Sequence, residues 1–334
     1  MSVKDISSAY RRLLGRQESI SASLGSALDV LSGSQPSLAA AVRRLLDGDG
    51  SVHSPFRLLA FPVLGAISGD EEMALPVAML SRVWWTGAEV FDDLADGEFD
   101  AAGTGLSGAQ ASIASASCLT LLPQALIAQQ GLSARLTSEW TREFADASLS
   151  AAEGQLNDVS AGTGTISWSA VMRIYAGKSG VPYGRDAAMV AMLAHADDAA
   201  VRGWRAFGRL FGVLRQLAND RASATDIHDE DLANGTWTLQ LALALEESDP
   251  RDRQELASLH ARAADDLSTR SMLRERLDAA GMAVAYGRRV EAMRRKLTGL
   301  LMALAGPSQH RDLMHWMIDV SAAQACPRER AGAA

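Results

Sequence analysis

The chain has 334 residues, 48% of them apolar, and its formal net charge at pH 7 is −8. An acidic protein of this kind is not expected to bind nucleic acid, because that partner requires a basic face. Two widely spaced cysteines, an N-terminus without the apolar core of a signal peptide and no uninterrupted apolar run long enough to cross a bilayer predict a soluble cytoplasmic protein without an integral membrane segment.

Apolar residues recur at helical spacing, and alternating runs of β-branched and aromatic residues are almost absent, so we predict an all-α protein. The predicted helices lie, in chain order, at about residues 3–31, 37–47, 55–68, 72–96, 107–128, 133–158, 167–178, 184–195, 197–221, 236–247, 250–265, 268–304 and 308–322. Neither a repeat nor a dividing linker is visible. We therefore predict a single domain over residues 1–334, with N-terminal helices in residues 1–50 and a loose tail at residues 327–334.

One short stretch, EVFDDLADGEFD at residues 89–100, carries six carboxylates in twelve positions. Asp92 and Asp96 lie one turn apart on the same helix face, with Asp93 beside them. The helix macrodipole disfavours acidic residues near the end of a helix, and carboxylate oxygens are ligands that Mg²⁺ prefers. The stretch predicts a divalent metal site or, as the simpler alternative, a solvated acidic helix end.

A second oxygen-rich stretch reads FGRLFGVLRQLANDRASATD. Asn219, Ser223 and Asp226 fall at i, i+4 and i+7, which places them within an arc of about 60° on one helix face. Asp220 is adjacent, and Gln216 lies one turn earlier on that side. Because Asn and Ser are weak helix formers, their place within an apolar helix favours a role as ligands, while a local cap or turn remains the alternative.

Six stretches, occurring in order over about residues 72–322, resemble the class I isoprenoid synthases and specifically the trans-prenyl diphosphate synthases. DDLAD resembles the first aspartate-rich motif of that family, and FGxxFGxxxQxxND resembles the approach to its second metal motif. The other four stretches are EGQLND (153–158), IYAGKSG (174–180), DLANGTWTL (231–239) and RLDAAGMAVAYGRRVEAMRRKLTGLLMAL (276–304). A set of six is specific, although any one of them is weak.

The resemblance implies a helical bundle around a deep central cavity, with the two acidic motifs facing each other across its mouth. About three Mg²⁺ ions would bridge these motifs and the diphosphate of an allylic prenyl substrate, whose C–O bond breaks to give a carbocation and a leaving diphosphate. The implied metal ligands are Asp92, Asp93, Asp96, Asn219, Asp220, Ser223 and Asp226. The residues expected to act directly in catalysis are Asp92, Asp93, Asp96, Asn219 and Ser223.

The resemblance also implies residues that bind the substrate and a homodimeric assembly. The implied diphosphate-binding residues are Arg173, Lys178, Arg215 and Arg221. The implied cavity residues are Trp84, Trp85, Gly87, Ala88, Gln155, Phe211 and Gln216. For Arg215 and Arg221, a solvated helix face is the alternative.

The sequence departs from the family where a second diphosphate would bind. Chain-elongating members carry a GKRxRP-type stretch before the first motif, and the matching stretch here reads DGSVHSPFRLLAFP. Ser51, Val52 and Ser54 stand where basic residues are expected, which leaves Arg57 downstream. Thr236 stands in place of a later lysine. A second diphosphate would lack its counter-charges, so elongation with isopentenyl diphosphate is not expected.

The altered second motif resembles another branch of the superfamily. Asn219 and Ser223 resemble part of the NDxxSxxxE triad of the terpene cyclases, whose final acid would fall at Ile227, so Asp226 would have to substitute. Arg173 lies 46 positions before Asn219 and resembles the diphosphate-sensing arginine of those enzymes. These features favour a terpene cyclase over an elongating synthase.

The depth of the implied cavity suggests the length of the substrate. Gly87 and Ala88, one turn before Asp92, are small, and Trp84 and Trp85 lie a turn deeper. A farnesyl or geranylgeranyl chain of about 15 to 20 carbons would fit, while close helix packing is the alternative reason for two small residues.

Four functions remain open at this point. The first is a Mg²⁺-dependent terpene cyclase that ionises one allylic diphosphate. The second is a prenyltransferase that delivers the cation to an acceptor without a diphosphate. The others are a non-catalytic partner subunit of a prenyl diphosphate synthase and a conventional elongating synthase.

Overall fold

The computed structural model describes residues 3–48, 54–160, 166–223 and 230–326. The helices are α1 (Val3–Ser32), α2 (Pro36–Gly48), α3 (Ala60–Ser68), α4 (Leu75–Asp96), α5 (Ala101–Thr104), α6 (Gly108–Ala116), α7 (Leu122–Gln129), α8 (Ala134–Val159), α9 (Trp168–Tyr175), α10 (Val181–Leu193), α11 (Asp198–Ser223), α12 (Glu230–Ala233), α13 (Leu239–Glu247), α14 (Pro250–Ala263), α15 (Leu267–Leu277), α16 (Ala280–Leu304) and α17 (Gln309–Ala325). Short 3₁₀ turns cover Pro55–Leu58 and Glu72–Ala74, and π turns cover Ser117–Leu121 and Ala176–Gly180. Within the described ranges every regular element is helical, which confirms the all-α prediction.

The short helices α5 and α12 were not predicted, and two predicted boundaries differ clearly from the structure. The helix predicted at about residues 268–304 is broken, because α15 ends at Leu277 and α16 begins at Ala280. The gap predicted after residue 178 is instead a π turn that runs directly into α10. A π turn shifts the hydrogen bonds by one residue without ending the helix, so the glycines at 177 and 180 resemble a break in the sequence but do not produce one.

The chain divides into two compact units, each with its own core. The first consists of Met1–Ser148, Arg185–Arg205 and Leu304–Met314. Its core includes the fully buried Phe61, Trp140 and Phe144, and Trp140 Nε1 donates to the backbone oxygen of Met189 at 3.1 Å. Helix α4 contacts α1, α2, α6 and α7, so most of its apolar positions are covered, whereas Phe91 and the acidic end are exposed.

The second unit consists of Leu149–Gly184, Ala206–Ala303 and His315–Ala334. Its core includes the aromatic rings of Phe207 and Phe211, stacked with centroids 6.3 Å apart. The ring of Tyr183 meets Phe211 edge-on at 5.5 Å. This packing fixes the apolar face of α11 and thereby the register of its polar residues.

One helical stretch, Gly108–Gln129, is long and apolar enough to cross a membrane by length and composition. We expected no such run from the sequence, and this stretch is the exception. Half of its most apolar window is buried inside the structure, and core helices of soluble proteins meet the same criteria. The stretch is therefore weak evidence for a membrane span.

Candidate active site

The last turn of α4 gathers the predicted first metal motif. Asp92 is half-buried, whereas Asp93 and Asp96 are exposed. Partial loss of hydration, together with the negative charges of Glu89, Asp92, Glu98 and Asp96, raises the pKa of Asp93 to about 6. Both causes disfavour the charged form of Asp93, and a bound cation would offset them.

The donor set at this helix end suits a magnesium ion that arrives with its substrate. Among the described residues, no three His, Cys, Asp or Glu side chains form a group that could hold a metal ion. Magnesium commonly uses one or two carboxylates, with waters and substrate phosphates completing its shell. Asp92, Asp93 and Asp96 supply oxygen donors and excess negative charge, so they fit such an ion, although the protein does not form a complete cage.

An arginine is held beside this motif. Arg57, on the Pro55–Leu58 turn, donates from Nη2 to Glu89 Oε1 and forms an ion pair with that carboxylate. Its guanidinium also lies over the ring of Trp85, 4.6 Å from the centroid. Trp85 and Glu89 are one turn apart on α4, so both hold Arg57 against the face that continues to Asp92 and Asp93.

Deeper in α4, a buried polar cluster lies against the predicted cavity residue Trp84. The Arg185 guanidinium is 1% exposed and lies between the rings of Trp84 and Phe144, at 5.1 and 4.4 Å from their centroids. Its partner Asp186, reached at 2.8 Å, also accepts a hydrogen bond of 2.5 Å from Ser81. This cluster, which the sequence did not reveal, joins α4 to α10, and Arg185 Nη1 is buried in it without a hydrogen-bond acceptor.

The small residues before Asp92 differ in their surroundings. A methyl group on Gly87 would lie 2.8 Å from Cys118 Cβ, and Gly87 O accepts a hydrogen bond of 2.7 Å from Ser115. Gly87 therefore permits close packing of α4 on the segment that follows α6, as the alternative interpretation of this residue describes. Ala88 is half-buried on the next position.

In the second unit, Lys178 projects from the π turn Ala176–Gly180. Its ammonium lies 3.0 Å from Asp158 Oδ2 on α8. A methyl group on Gly154 would lie 2.6 Å from the backbone nitrogen of Lys178, so the turn and α8 meet backbone to backbone. π turns are frequent at functional sites, and this one places a basic side chain and a carboxylate together.

A hydrogen-bond network links the same π turn to α11. Ser179 donates to Gln216 Oε1 at 2.5 Å, and Gln216 Nε2 donates to Asp220 Oδ1 at 2.9 Å. The Tyr175 hydroxyl donates to Asp220 Oδ2. Burial of the Asp220 carboxyl, and then the charge of Asp231, raise its pKa. Asp220 and Gln216 therefore connect α9, the π turn and α11.

The other predicted residues of the second motif lie at and beyond the end of α11. Asn219 is exposed on α11, next to Asp220. Ser223 is the last residue of α11, and only its backbone is described. Asp226 lies outside the described residues, as do Ser51 and Val52.

The four predicted diphosphate-binding residues do not share one environment. Arg173 is exposed in the last turn of α9, two residues before Tyr175. Arg215 donates to Gln324 Oε1 at 2.7 Å, and Arg221 is paired with Asp278 at 2.8 Å. The arginines at 215 and 221 are thus engaged with α17 and with the break before α16.

The remaining predicted cavity residues are Phe211, which is fully buried in the core, and Gln155, which is half-buried on α8. Sequence reasoning did not single out Asp158 or Tyr175, although both stand in quoted stretches, EGQLND and IYAGKSG. It also missed a small polar cleft next to Asp220. The cleft is lined by Asp220, Arg221, Thr238, Gln240, Arg274 and Tyr286.

The sequence matches one family model, described as polyprenyl synthetase, over residues 102–275. The match includes the stretches with Lys178 and Asn219, whereas Asp92 to Asp96 precede it. No protein with curated annotation matches the sequence.

Solved structures of three prenyl synthases resemble the fold over nearly its whole length. Geranylgeranyl pyrophosphate synthetase from Pyrococcus horikoshii Ot3 is 18% identical, with a TM-score of 0.76 over 96% of this chain and 100% of its own. Polyprenyl synthetase from Streptomyces coelicolor A3(2) is 20% identical, with a TM-score of 0.78 over 93% and 99%. Geranylgeranyl pyrophosphate synthase from Corynebacterium glutamicum, complexed with isoprenyl diphosphate and magnesium, is 17% identical, with a TM-score of 0.77 over 93% and 99%. At these identities the likeness establishes the fold.

Proposed function

The chain belongs to the polyprenyl synthetase family, and we propose that it is a magnesium-dependent enzyme that ionises one allylic prenyl diphosphate of about 15 to 20 carbons. Membership establishes prenyl diphosphate chemistry and the all-α fold of the class I isoprenoid synthases. The observation that carries the finer proposal is the cluster of Asp92, Asp93 and Asp96 at the end of α4, where the pKa of Asp93 is raised to about 6.

The proposed chemistry requires charge neutralisation at the leaving group. When bound, magnesium would offset the negative charge that develops on the diphosphate as the allylic C–O bond breaks. Asp92, Asp93 and Asp96 would hold the metal through oxygen. Lys178 would bind the diphosphate by exchanging its contact with Asp158 for phosphate oxygens, since a lysine presents a mobile point charge with three donors.

Within this chemistry we propose terpene cyclisation as the reaction. Its basis is the set of non-basic residues where a second diphosphate would need cations, notably Ser54 and Thr236, together with the Asn219 and Ser223 pair. A carbocation without a second prenyl substrate can react with its own double bonds, provided that water is excluded.

One incubation tests the proposal and separates its competitors. Purified protein is given Mg²⁺ and farnesyl or geranylgeranyl diphosphate, and the extract is analysed for products. Cyclic hydrocarbon or cyclic alcohol supports cyclisation. Diphosphate release with only linear alcohol indicates a prenyltransferase that lacks its acceptor, and consumption of added isopentenyl diphosphate indicates elongation. Absence of diphosphate release under all conditions would contradict the enzyme proposal and favour a partner subunit.

We also propose a homodimer, as the family resemblance implies. Ile113 and Leu121 are 66% and 65% exposed, eight positions apart on the continuous Gly108–Gln129 segment. The sequence carries no charged residue from Ala101 to Ala134, so this exposed surface is suited to contact with a second copy. Light scattering of the wild type and of the Ile113→Lys variant is the test, and a monomeric wild type would contradict the proposal. The cytoplasmic location stays a prediction.

A further inference from the structure

Arg57 occupies an unusual place in the charge distribution of the first unit. Between Arg44 and Arg82 it is the only lysine or arginine, and none follows Arg82 before Arg135. Arg82 itself donates to the backbone oxygen of Leu46 at 3.1 Å. Arg57 is therefore the principal cation that this part of the sequence could offer to an anionic ligand near the acidic end of α4.

The guanidinium of Arg57 is held by two residues of α4. Glu89 accepts its Nη2 hydrogen bond and neutralises its charge, and Trp85 lies under its plane. Pro55 and the buried Phe56 fix the turn from which Arg57 projects. The Arg57 side chain is 20% exposed and that of Glu89 is 36% exposed, so the pair borders solvent and is not sealed in the core.

From this geometry we infer that the Arg57–Glu89 ion pair is a specificity-determining device, which prevents the first unit from binding a second alkyl diphosphate. The inference rests on the proposed function, which supplies the first diphosphate. A diphosphate carries two to three negative charges and needs uncompensated cations with free N–H donors. Glu89 neutralises the charge of Arg57 and accepts a hydrogen bond from one of its N–H groups. Its carboxylate would also repel an approaching phosphate.

The inference explains how a family whose members join two diphosphates could give a chain that uses one. Removal of basic residues at 51, 52 and 54 would leave Arg57 able to bind a phosphate weakly. The added carboxylate at 89 closes that route, because a surface anion would have to displace an intramolecular partner already aligned by Trp85. A purely structural pair would instead only attach the Pro55–Leu58 turn to α4.

The test is the binding of isopentenyl diphosphate measured by calorimetry in EDTA. Without magnesium the Asp92 site cannot contribute, so failure here is distinct from failure of the proposed function, which is tested by turnover of farnesyl diphosphate with magnesium. Glu89→Gln keeps the shape of the side chain and removes the negative charge that pairs with Arg57. Its affinity for isopentenyl diphosphate should exceed that of the wild type by about 10- to 100-fold, the value of a charge-assisted hydrogen bond.

Two further variants serve as controls. Adding Arg57→Met to Glu89→Gln should remove the gain. Glu143→Gln breaks the bidentate Arg205–Glu143 pair of the same unit, at 2.8 and 2.6 Å, and should give no gain. An equal gain in the Glu143→Gln protein, or a gain that survives loss of Arg57, would overturn the inference.

A single substitution in the wild-type background covers the case in which Glu89→Gln does not fold. Glu89→Ala also removes the carboxylate that pairs with Arg57, and it should raise the affinity for isopentenyl diphosphate in the same direction. An affinity of Glu89→Ala that does not exceed that of the wild type would overturn the inference. A folded Glu89→Gln protein that binds no better than wild type would have the same consequence.

Discussion

The contact between Gly154 and the π turn gives the sharpest prediction, because it concerns backbone atoms that cannot rotate away. A methyl group on Gly154 would lie 2.6 Å from the nitrogen of Lys178 and 2.8 and 2.9 Å from the carbonyl carbon and Cα of Gly177. Ordinary contacts of this kind begin near 3.4 Å. In Gly154→Ala, α8 and the turn must therefore separate by about 1 Å.

Two opposing terms decide the stability of Gly154→Ala. Alanine gains about 0.5–1 kcal/mol over glycine inside a helix, and overpacking costs about 1–3 kcal/mol. We expect the free energy of unfolding to fall by about 1–2 kcal/mol. A shift of Lys178 by about 1 Å should lower kcat/KM for the prenyl diphosphate by roughly 10-fold or more, since positioning errors of this size are costly in active sites.

Urea denaturation and steady-state turnover measure the two effects. Gly299→Ala in α16 is the matched control, because a methyl group there meets no atom within 4 Å. That variant should be more stable than the wild type by about 0.5–1 kcal/mol and fully active. If Gly154→Ala proved as stable and as active as Gly299→Ala, the proposed coupling between the packing of α8 and the position of Lys178 would be refuted.

Three other predictions concern single charged groups. Asp92→Asn should reduce turnover by about 10²- to 10³-fold with an unchanged fold, since metal-held charge is worth several kcal/mol, and full activity with magnesium would contradict its proposed role. Lys178→Met should raise KM for the prenyl diphosphate at least about 10-fold, and Asp158→Asn should affect KM much less. His310 and neighbouring arginines lower the pKa of Glu71 to about 2 from 4.5. Because the folded-state pKa is depressed, the stabilisation is complete above about pH 5 and is lost as pH falls towards 2, by about 2 kcal/mol after solvent screening. Urea titrations of wild type and Glu71→Gln at pH 6 and pH 3 measure this loss, and an equal loss in both would contradict it.

Helix content and order could be predicted from the sequence because the apolar period is strong in elements such as α4 and α11. The break between Leu277 and Ala280 was missed, since no glycine or proline precedes it and the residues there are ordinary helix formers. The π turn at Ala176–Gly180 was mistaken for a gap because glycine marks both situations.

The candidate site was predictable where neighbours in sequence are neighbours on a helix, as with Asp92, Asp93 and Asp96. It was not predictable where contacts join distant segments. The pairing of Arg57 with Glu89 spans 32 positions, and that of Tyr175 with Asp220 spans 45. Phe211 is fully buried among aromatic rings, and its place in a cavity wall, which the resemblance implied, stays a prediction.

The charges near α4 separate two accounts of how the chain could act on a single diphosphate. Simple loss of the basic residues expected at 51, 52 and 54 would remove positive charge from the sequence without adding negative charge. The carboxylate of Glu89 adds a cost that loss alone does not require, because it also places negative charge one turn from Asp92 and Asp93 and contributes to the raised pKa of Asp93. Because the charge of Glu89 disfavours the ionised form of Asp93, Glu89 needs a positive partner, and Arg57 is that partner. The pair therefore acts as one unit. Arg57 neutralises the charge of Glu89, and Glu89 in turn prevents Arg57 from binding another anion.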